Sequence, residues 1–213
     1  MTPGRFIAFE GGEGMGKSTQ ARLLAESLRG RGLSVHLTRE PGGTPGAEAI
    51  RSLLLHPPGE GWGPEAEALL FAAARSDHVA RLIRPALERG EWVVCDRYLD
   101  SSRAYQGQAG GIGDAAVCQL HEIGSAGLLP DLTIIVSARN EEVTERLRAR
   151  DGGDTDAIGG RDAEYHRAVN AAFERFAAEA PERFRVIDGE GAISEVRERV
   201  WDSVSELLSA ART

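Results

Sequence analysis

At 213 residues, 41% hydrophobic and 27% charged, the chain is long enough to bury one substantial core. A net charge of −8 excludes a surface given over to nucleic acid, which needs a basic face, and no run approaches the ~20 apolar residues of a membrane span. Two cysteines, Cys95 and Cys118, make neither a disulfide framework nor a metal site, and the opening run MTPGRFIAFEGG lacks the apolar length of a secretory signal, so a reducing cytoplasm is expected.

RFIAFE is a short apolar run that predicts a strand, followed by a glycine-rich turn and STQARLLAESLRGRG, apolar at helical spacing and closed by Gly30 and Gly32. LSVHLT predicts a second strand and REPGGTPG a loop; AEAIRSLLL is a helix, and HPPGEGWGP a breaker-rich connection. From Glu65 to Arg89 the pattern is a long helix kinked near Pro85. EWVVCD is a buried strand, and RYLDSSRAYQGQAGGIG is expected to be a long polar loop. A helix over Ala115–Ser125 leads to the strand DLTIIVS, a helix over Glu141–Arg150 and a glycine- and aspartate-rich insert at Asp151–Gly160. A helix to Ala180, the strand FRVIDG and a helix from Ile193 complete the pattern. Five apolar strands alternating with helices imply an α/β fold, a parallel sheet between two helical layers, in a single domain over 1–213. Ligands of such sheets sit at the carboxyl ends of the strands, so the loops after Glu10, Thr38, Asp96 and Ser137 are expected to line one cleft, with the insert at 151–160 as a short lid.

Gly11, Gly12, Glu13, Gly14, Met15, Gly16, Lys17 and Ser18 match the P-loop pattern G-x-x-x-x-G-K-[ST], with a strand before and a helix after, continuing through Thr19. Glycines let main-chain N–H groups turn toward phosphate oxygens, and the helix N-terminus adds a favourable dipole. Lys17 is the only lysine in a chain that otherwise uses arginine for its cations. A compact ammonium fits a phosphate cage with main-chain walls, where a planar guanidinium is too broad. Lys17 is thus expected to reach the β- and γ-phosphates of ATP and the Ser18 hydroxyl to ligate Mg²⁺. WVVCD ends in Asp96, the second expected Mg²⁺ anchor, and Arg97 beside it suggests a second phosphate.

The motifs EGGEGMGKSTQ, TREPGGT, LLFAAAR, DRYLDSSRAYQG and LPDLTIIV, in this order and spacing, resemble the bacterial thymidylate (dTMP) kinase family of P-loop nucleoside-monophosphate kinases over essentially all of Arg5–Gly189. The resemblance implies transfer of phosphate from ATP to dTMP, giving dTDP. It implies that Phe71 stacks on thymine, that Arg75 bonds its carbonyl, and that Ser102 and Gln106, with Ser101 in the same turn, complete the base edge. Tyr105 would lie against the deoxyribose, Arg51 and Arg97 would hold the acceptor phosphate, Glu40 would order the site, and Glu13 would lie close to the transferred group. It also implies a homodimer packed through helices, for which Glu65–Arg89 and Ala115–Ser125 offer apolar stripes.

One departure concerns the transition state. Some relatives place an arginine inside the phosphate loop, where this chain has Gly14; others supply it from the lid in an Asp-Arg pair, where this chain has Asp156-Ala157. Arg150 and Arg161 flank the lid, and either is expected to substitute on closure. Arg146, one helical turn before Arg150, would stack on adenine. The cysteines are expected to be buried fillers, and His36, His56, His78, His121 and His166 show no ligand spacing.

Overall fold

The computed structural model describes residues 4–137 and 160–210. All five apolar runs form strands: β1 (Phe6–Glu10), β2 (Val35–Arg39), β3 (Trp92–Asp96), β4 (Leu132–Ser137) and β5 (Phe184–Asp188). They pair in parallel in the order β2-β3-β1-β4-β5. The helices are α1 (Lys17–Arg29), α2 (Pro45–Leu55), α3 (Pro64–His78), α4 (Arg84–Glu88), α5 (Leu99–Ser102), α6 (Asp114–Ser125), α7 (Ala163–Glu179) and α8 (Ile193–Ala210). The expected helix Glu141–Arg150 and all of the insert but Gly160 lie outside the described residues.

Strand alternation sorts the core into two faces. Ile7, Phe9, Trp92, Val94, Leu132, Ile134 and Val136 meet Leu24 and Leu28 of α1 and Val196, Val200 and Val204 of α8. Phe6, Ala8, Val93 and Cys95 point the other way, against Val79, Ile83, Ala86 and Val117. Each large side chain so buried contributes about 1.5–3 kcal/mol, which fixes the register: a one-residue slip would exchange the two faces. The long helical pattern deviates where expected. Between α3 and α4, Val79–Ile83 form a π turn immediately before Pro85, whose ring would crowd the Arg81 carbonyl of a regular helix.

The expected polar loop after Asp96 is instead mostly helical, α5 continuing into a π-helical stretch over Arg103–Ala109. Its polar side chains point inward, which is why polarity misread it. Asp100 is buried between Arg103 and Arg183, at 2.8 and 2.9 Å. Ser102 and Gln106 are buried too. The cysteines also divide: Cys95 is in the core, but Cys118 is exposed, because α6 turns Val117, His121 and Ser125 inward and Cys118 away.

Glu10, at the end of β1, holds this helical stretch to the sheet. Its carboxyl, wholly buried, accepts hydrogen bonds from the Tyr98 and Ser101 amides at 2.9 and 3.0 Å and from the Ser101 hydroxyl at 2.5 Å. Burial, reinforced by Asp100, pushes its pKa up to about 7. The folded protein therefore keeps the Glu10 proton to about pH 7, whereas the unfolded chain releases it near 4.5. The folded state binds more protons between these values, so the stability linked to Glu10 falls as pH rises from 4.5 through 7. Glu10→Gln cannot ionise and should escape that fall. Its melting temperature relative to the parent should improve between pH 5 and 7.5, by up to about 3 kcal/mol in free energy; a difference constant with pH would contradict this.

Candidate active site

Phe9 of β1 is in register with Asp96 of β3, so the chain leaving Glu10 and the chain leaving Asp96 emerge together at the carboxyl edge of the sheet. After β1 the backbone turns through Gly11, Gly14 and Gly16 at φ of 129°, 70° and 86°. Glycine adopts these values readily, and at Gly11 any Cβ would also strike the Val136 carbonyl of β4. The loop opens directly into α1, whose start has no side-chain cap and no acid in its first turn. By contrast, α2 is capped by the Thr44 hydroxyl. The first amides of α1 thus remain available to an anion. Met15 sends its side chain into the core, leaving only its main chain to the loop.

Lys17 is buried and folds back onto its own loop, its Nζ donating to the Gly12 carbonyl at 2.5 Å. Burial, and next the charge of Arg97, lower its pKa to about 8 against the opposing pull of Glu13 and Asp96. A polyanion in the loop would restore that ammonium. On the next residue, the Ser18 hydroxyl donates to Asp96 Oδ2. Asp96 Oδ1 is buried with no hydrogen-bond partner among the described residues. A buried carboxylate oxygen without a donor is costly, and a hydroxyl paired with a carboxylate is the kind of hard-oxygen set that Mg²⁺ takes alongside phosphate and water. No group of three or more His, Cys, Asp or Glu among the described residues could cage a metal by itself.

Arg97 follows Asp96 in the left-handed region, at φ 68°, which for a side chain of this size costs about 1–3 kcal/mol. The turn aims its guanidinium across the sheet edge. It donates to Glu13 at 2.5 Å, to Ser101 Oγ at 3.0 Å, to the Gly11 carbonyl at 3.2 Å and to the Tyr105 hydroxyl at 3.3 Å. Burial opposes its charge, but Tyr105, Glu13, Asp96 and Glu10 outweigh burial and raise its pKa above the usual arginine value. One residue therefore ties the phosphate loop to α5.

Beyond Arg97 opens a cavity of about 290 Å³. Glu40, Arg51, Phe71, Arg75, Arg97, Ser101, Ser102, Tyr105 and Gln106 all line it, with Glu13, Ser18 and Asp96 at the loop end. Phe71 belongs to none of the core clusters; it is half-buried on the cavity wall, so its helical spacing serves the site. Arg75, four residues on, is buried and donates to Glu40 at 2.8 Å, to Ser102 Oγ at 2.8 Å and to the Tyr98 carbonyl at 3.2 Å. Glu40 in turn meets His78 Nδ1 at 3.0 Å, and His78 Nε2 meets the Thr38 hydroxyl at 2.8 Å. Arg51 is anchored by the Pro41 carbonyl at 2.8 Å.

Arg161 does not line this cavity. It pairs with Glu67 of α3 and lies over the Tyr165 ring, 4.5 Å from its centroid. Arg146, Arg150 and the dipeptide Asp156-Ala157 lie outside the described residues. Sequence reasoning passed over Glu10, Glu67, His78 and the cavity-lining Arg39, Leu55 and Tyr98. Two of these carried a usable signal. Glu10 is an acid at the inner end of an apolar strand, and Glu67 shares the α3 face of Phe71 and Arg75 at spacings of four.

The thymidylate kinase family model matches residues 9–200. A thymidylate kinase of Rhizorhabdus wittichii is 54% identical over 206 residues, covering 97% of this chain and 99% of that one. A thymidylate kinase of Rhodopseudomonas palustris (strain TIE-1) is 49% identical, covering 98% and 92%. The crystal structure of thymidylate kinase from Ehrlichia chaffeensis superposes with a TM-score of 0.77 at 32% identity, covering 95% of this chain and 100% of that one. With the phosphate loop, Arg97 and the cavity in place on a β2-β3-β1-β4-β5 sheet, the chain belongs to the thymidylate kinase family.

Proposed function

We propose that the chain, as a single kinase domain, transfers the γ-phosphoryl group of ATP to the 5′-phosphate of dTMP, releasing ADP and dTDP for DNA synthesis. The observation that best supports this is the placement of Arg97 between a phosphate loop and a cavity with an aromatic wall. A nucleotide switch would need the loop but not the cavity.

The acceptor phosphate is already ionised at neutral pH, so no general base is required. The task is to bring two polyanions together and cancel their repulsion. Lys17 and the α1 amides hold the donor phosphates. Arg97 and Arg51 hold the acceptor phosphate, with Glu13 available as the partner Arg97 reverts to when that phosphate leaves. Ser18 and Asp96 would hold Mg²⁺, which when bound would help neutralise the charge of the phosphates. Phe71 stacks on the base, Arg75 donates to its carbonyl from a guanidinium fixed by Glu40, and Ser101 and Ser102 close the turn beside it. Tyr105, whose hydroxyl is tied to Arg97, occupies the sugar side, and its burial pushes its pKa up to about 12, so it stays a neutral donor.

Arg161 is already neutralised by Glu67 and stacked on Tyr165, which favours Arg150 as the transition-state arginine, with Arg146 on adenine. The protein acts in the cytoplasm as a homodimer formed through α3 and α6, where Leu69 and Ile123 are 56% and 77% exposed. No helix among the described residues is long and apolar enough to cross a membrane.

Three measurements test this reading. In a coupled ADP-release assay dTMP should turn over fastest. The dUMP rate (kcat/KM) should be about 5–150-fold lower, because one methyl is worth about 1–3 kcal/mol. Turnover of dGMP or thymidine in preference would overturn the assignment. Arg150→Ala should lower kcat by about 10³-fold or more, and Arg161→Ala by less than tenfold; near-normal turnover in both would remove the lid arginine from the mechanism. Ile123→Glu should halve the mass seen by light scattering while the circular dichroism of the folded chain is kept; an unchanged mass would exclude this face.

A further inference from the structure

Gln106 lines the cavity and is almost fully buried, and its Nε2 donates to Glu67 Oε1 at 2.8 Å. The other Glu67 oxygen accepts from Arg161. Arg161 also donates to the Tyr165 hydroxyl, and that hydroxyl donates to the Tyr105 carbonyl at 2.7 Å. A guanidinium only donates, so the carboxylate it pairs with is left to accept. The amide of Gln106 must then present its NH₂ to Glu67. Its carbonyl oxygen is left for whatever lies in the cavity. A glutamine between neutral partners could turn either way; here it cannot.

We propose that Glu67 is a positioning residue for base selection: by fixing the Gln106 amide, it turns an acceptor toward position 3 of the pyrimidine. Thymine and uracil carry an N–H there and satisfy that acceptor. Cytosine carries a lone pair there and leaves two acceptors facing each other in a buried site. A site built around a buried polar group rejects a ligand that leaves it unpaired far more strongly than it rejects a missing methyl. The polarity originates at Arg161. Arg161 sits just before α7, so the residues entering that helix also help set the hydrogen-bonding sense of the base pocket. This inference rests on the cavity being the thymine site, and it goes beyond that reading in assigning Glu67 and Arg161 to discrimination at position 3.

The test is the ratio of kcat/KM for dTMP to that for dCMP. In Glu67→Gln the new amide can donate as well as accept, so Gln106 is free to turn. The ratio should fall at least tenfold, chiefly through a lower KM for dCMP, with the dTMP/dUMP ratio unchanged because both bases carry the N–H. Gln106→Leu should lower the same ratio without touching Glu67, and adding Glu67→Gln to it should lower the ratio no further. If Glu67 only braces the fold, both substrates decline by one factor and the ratio stays constant, which overturns the proposal. If Glu67→Gln does not fold, an unchanged ratio in Gln106→Leu overturns it alone. Failure of the parent protein to use dTMP would instead remove the underlying reading.

Discussion

Two phosphate esters approach each other only if positive charge is already waiting between them, and in the proposed reaction Arg97, between the phosphate loop and the cavity, is placed to supply part of it. Its left-handed backbone lets a residue at the end of β3 reach the Gly11 carbonyl, Glu13, Ser101 and Tyr105 at once. Lost from that position, the guanidinium would leave the phosphate loop and α5 without a common partner. The backbone strain is of the order of one good charge-assisted hydrogen bond, and Arg97 makes one to Glu13 and several further hydrogen bonds.

Around Arg97 the side chains that face the cavity are held from behind by buried partners. Glu10 fastens α5 to β1 from beneath, and Asp100 fastens it to Arg103 and Arg183 from behind. Glu40 is held by His78 and in turn holds Arg75. Glu40 lines the cavity while Glu10 and Asp100 do not, and the partners of all three are arginines, hydroxyls and main-chain amides that need a fixed direction. Acidic groups thus organise a site meant for anions by fixing the donors that face them. The overall charge of −8 is compatible with this, because the local field is set by which groups reach the cavity.

The fold was largely legible because its signals are local. Apolar runs such as FIAFE and LTIIVS become central strands with every residue or nearly every residue buried, and the P-loop glycines need particular dihedral angles. The phosphate loop and most of the cavity-lining residues were legible as motifs, though Arg39, Leu55 and Tyr98 were not. The stretch after Asp96 was not, because its polar residues are turned into the protein, which inverts the usual relation between polarity and exposure. Gln106 looked like a loop residue and is buried; Cys118 looked like a filler and is exposed. His78 was illegible for a different reason. It acts through a second residue distant in sequence, Glu40, and pairwise geometry of that kind leaves no periodicity to read.

The central claim is that donor and acceptor phosphates are gripped by separate cations joined at Arg97. Calorimetric titration of dTMP, without ATP, into Lys17→Ala and Arg97→Ala proteins tests it most directly. The account predicts affinity close to the parent for Lys17→Ala and a loss of about tenfold or more for Arg97→Ala, as expected when a charge-assisted contact to phosphate is removed. Equal affinities in the two variants, or a larger loss on removing Lys17, would contradict it.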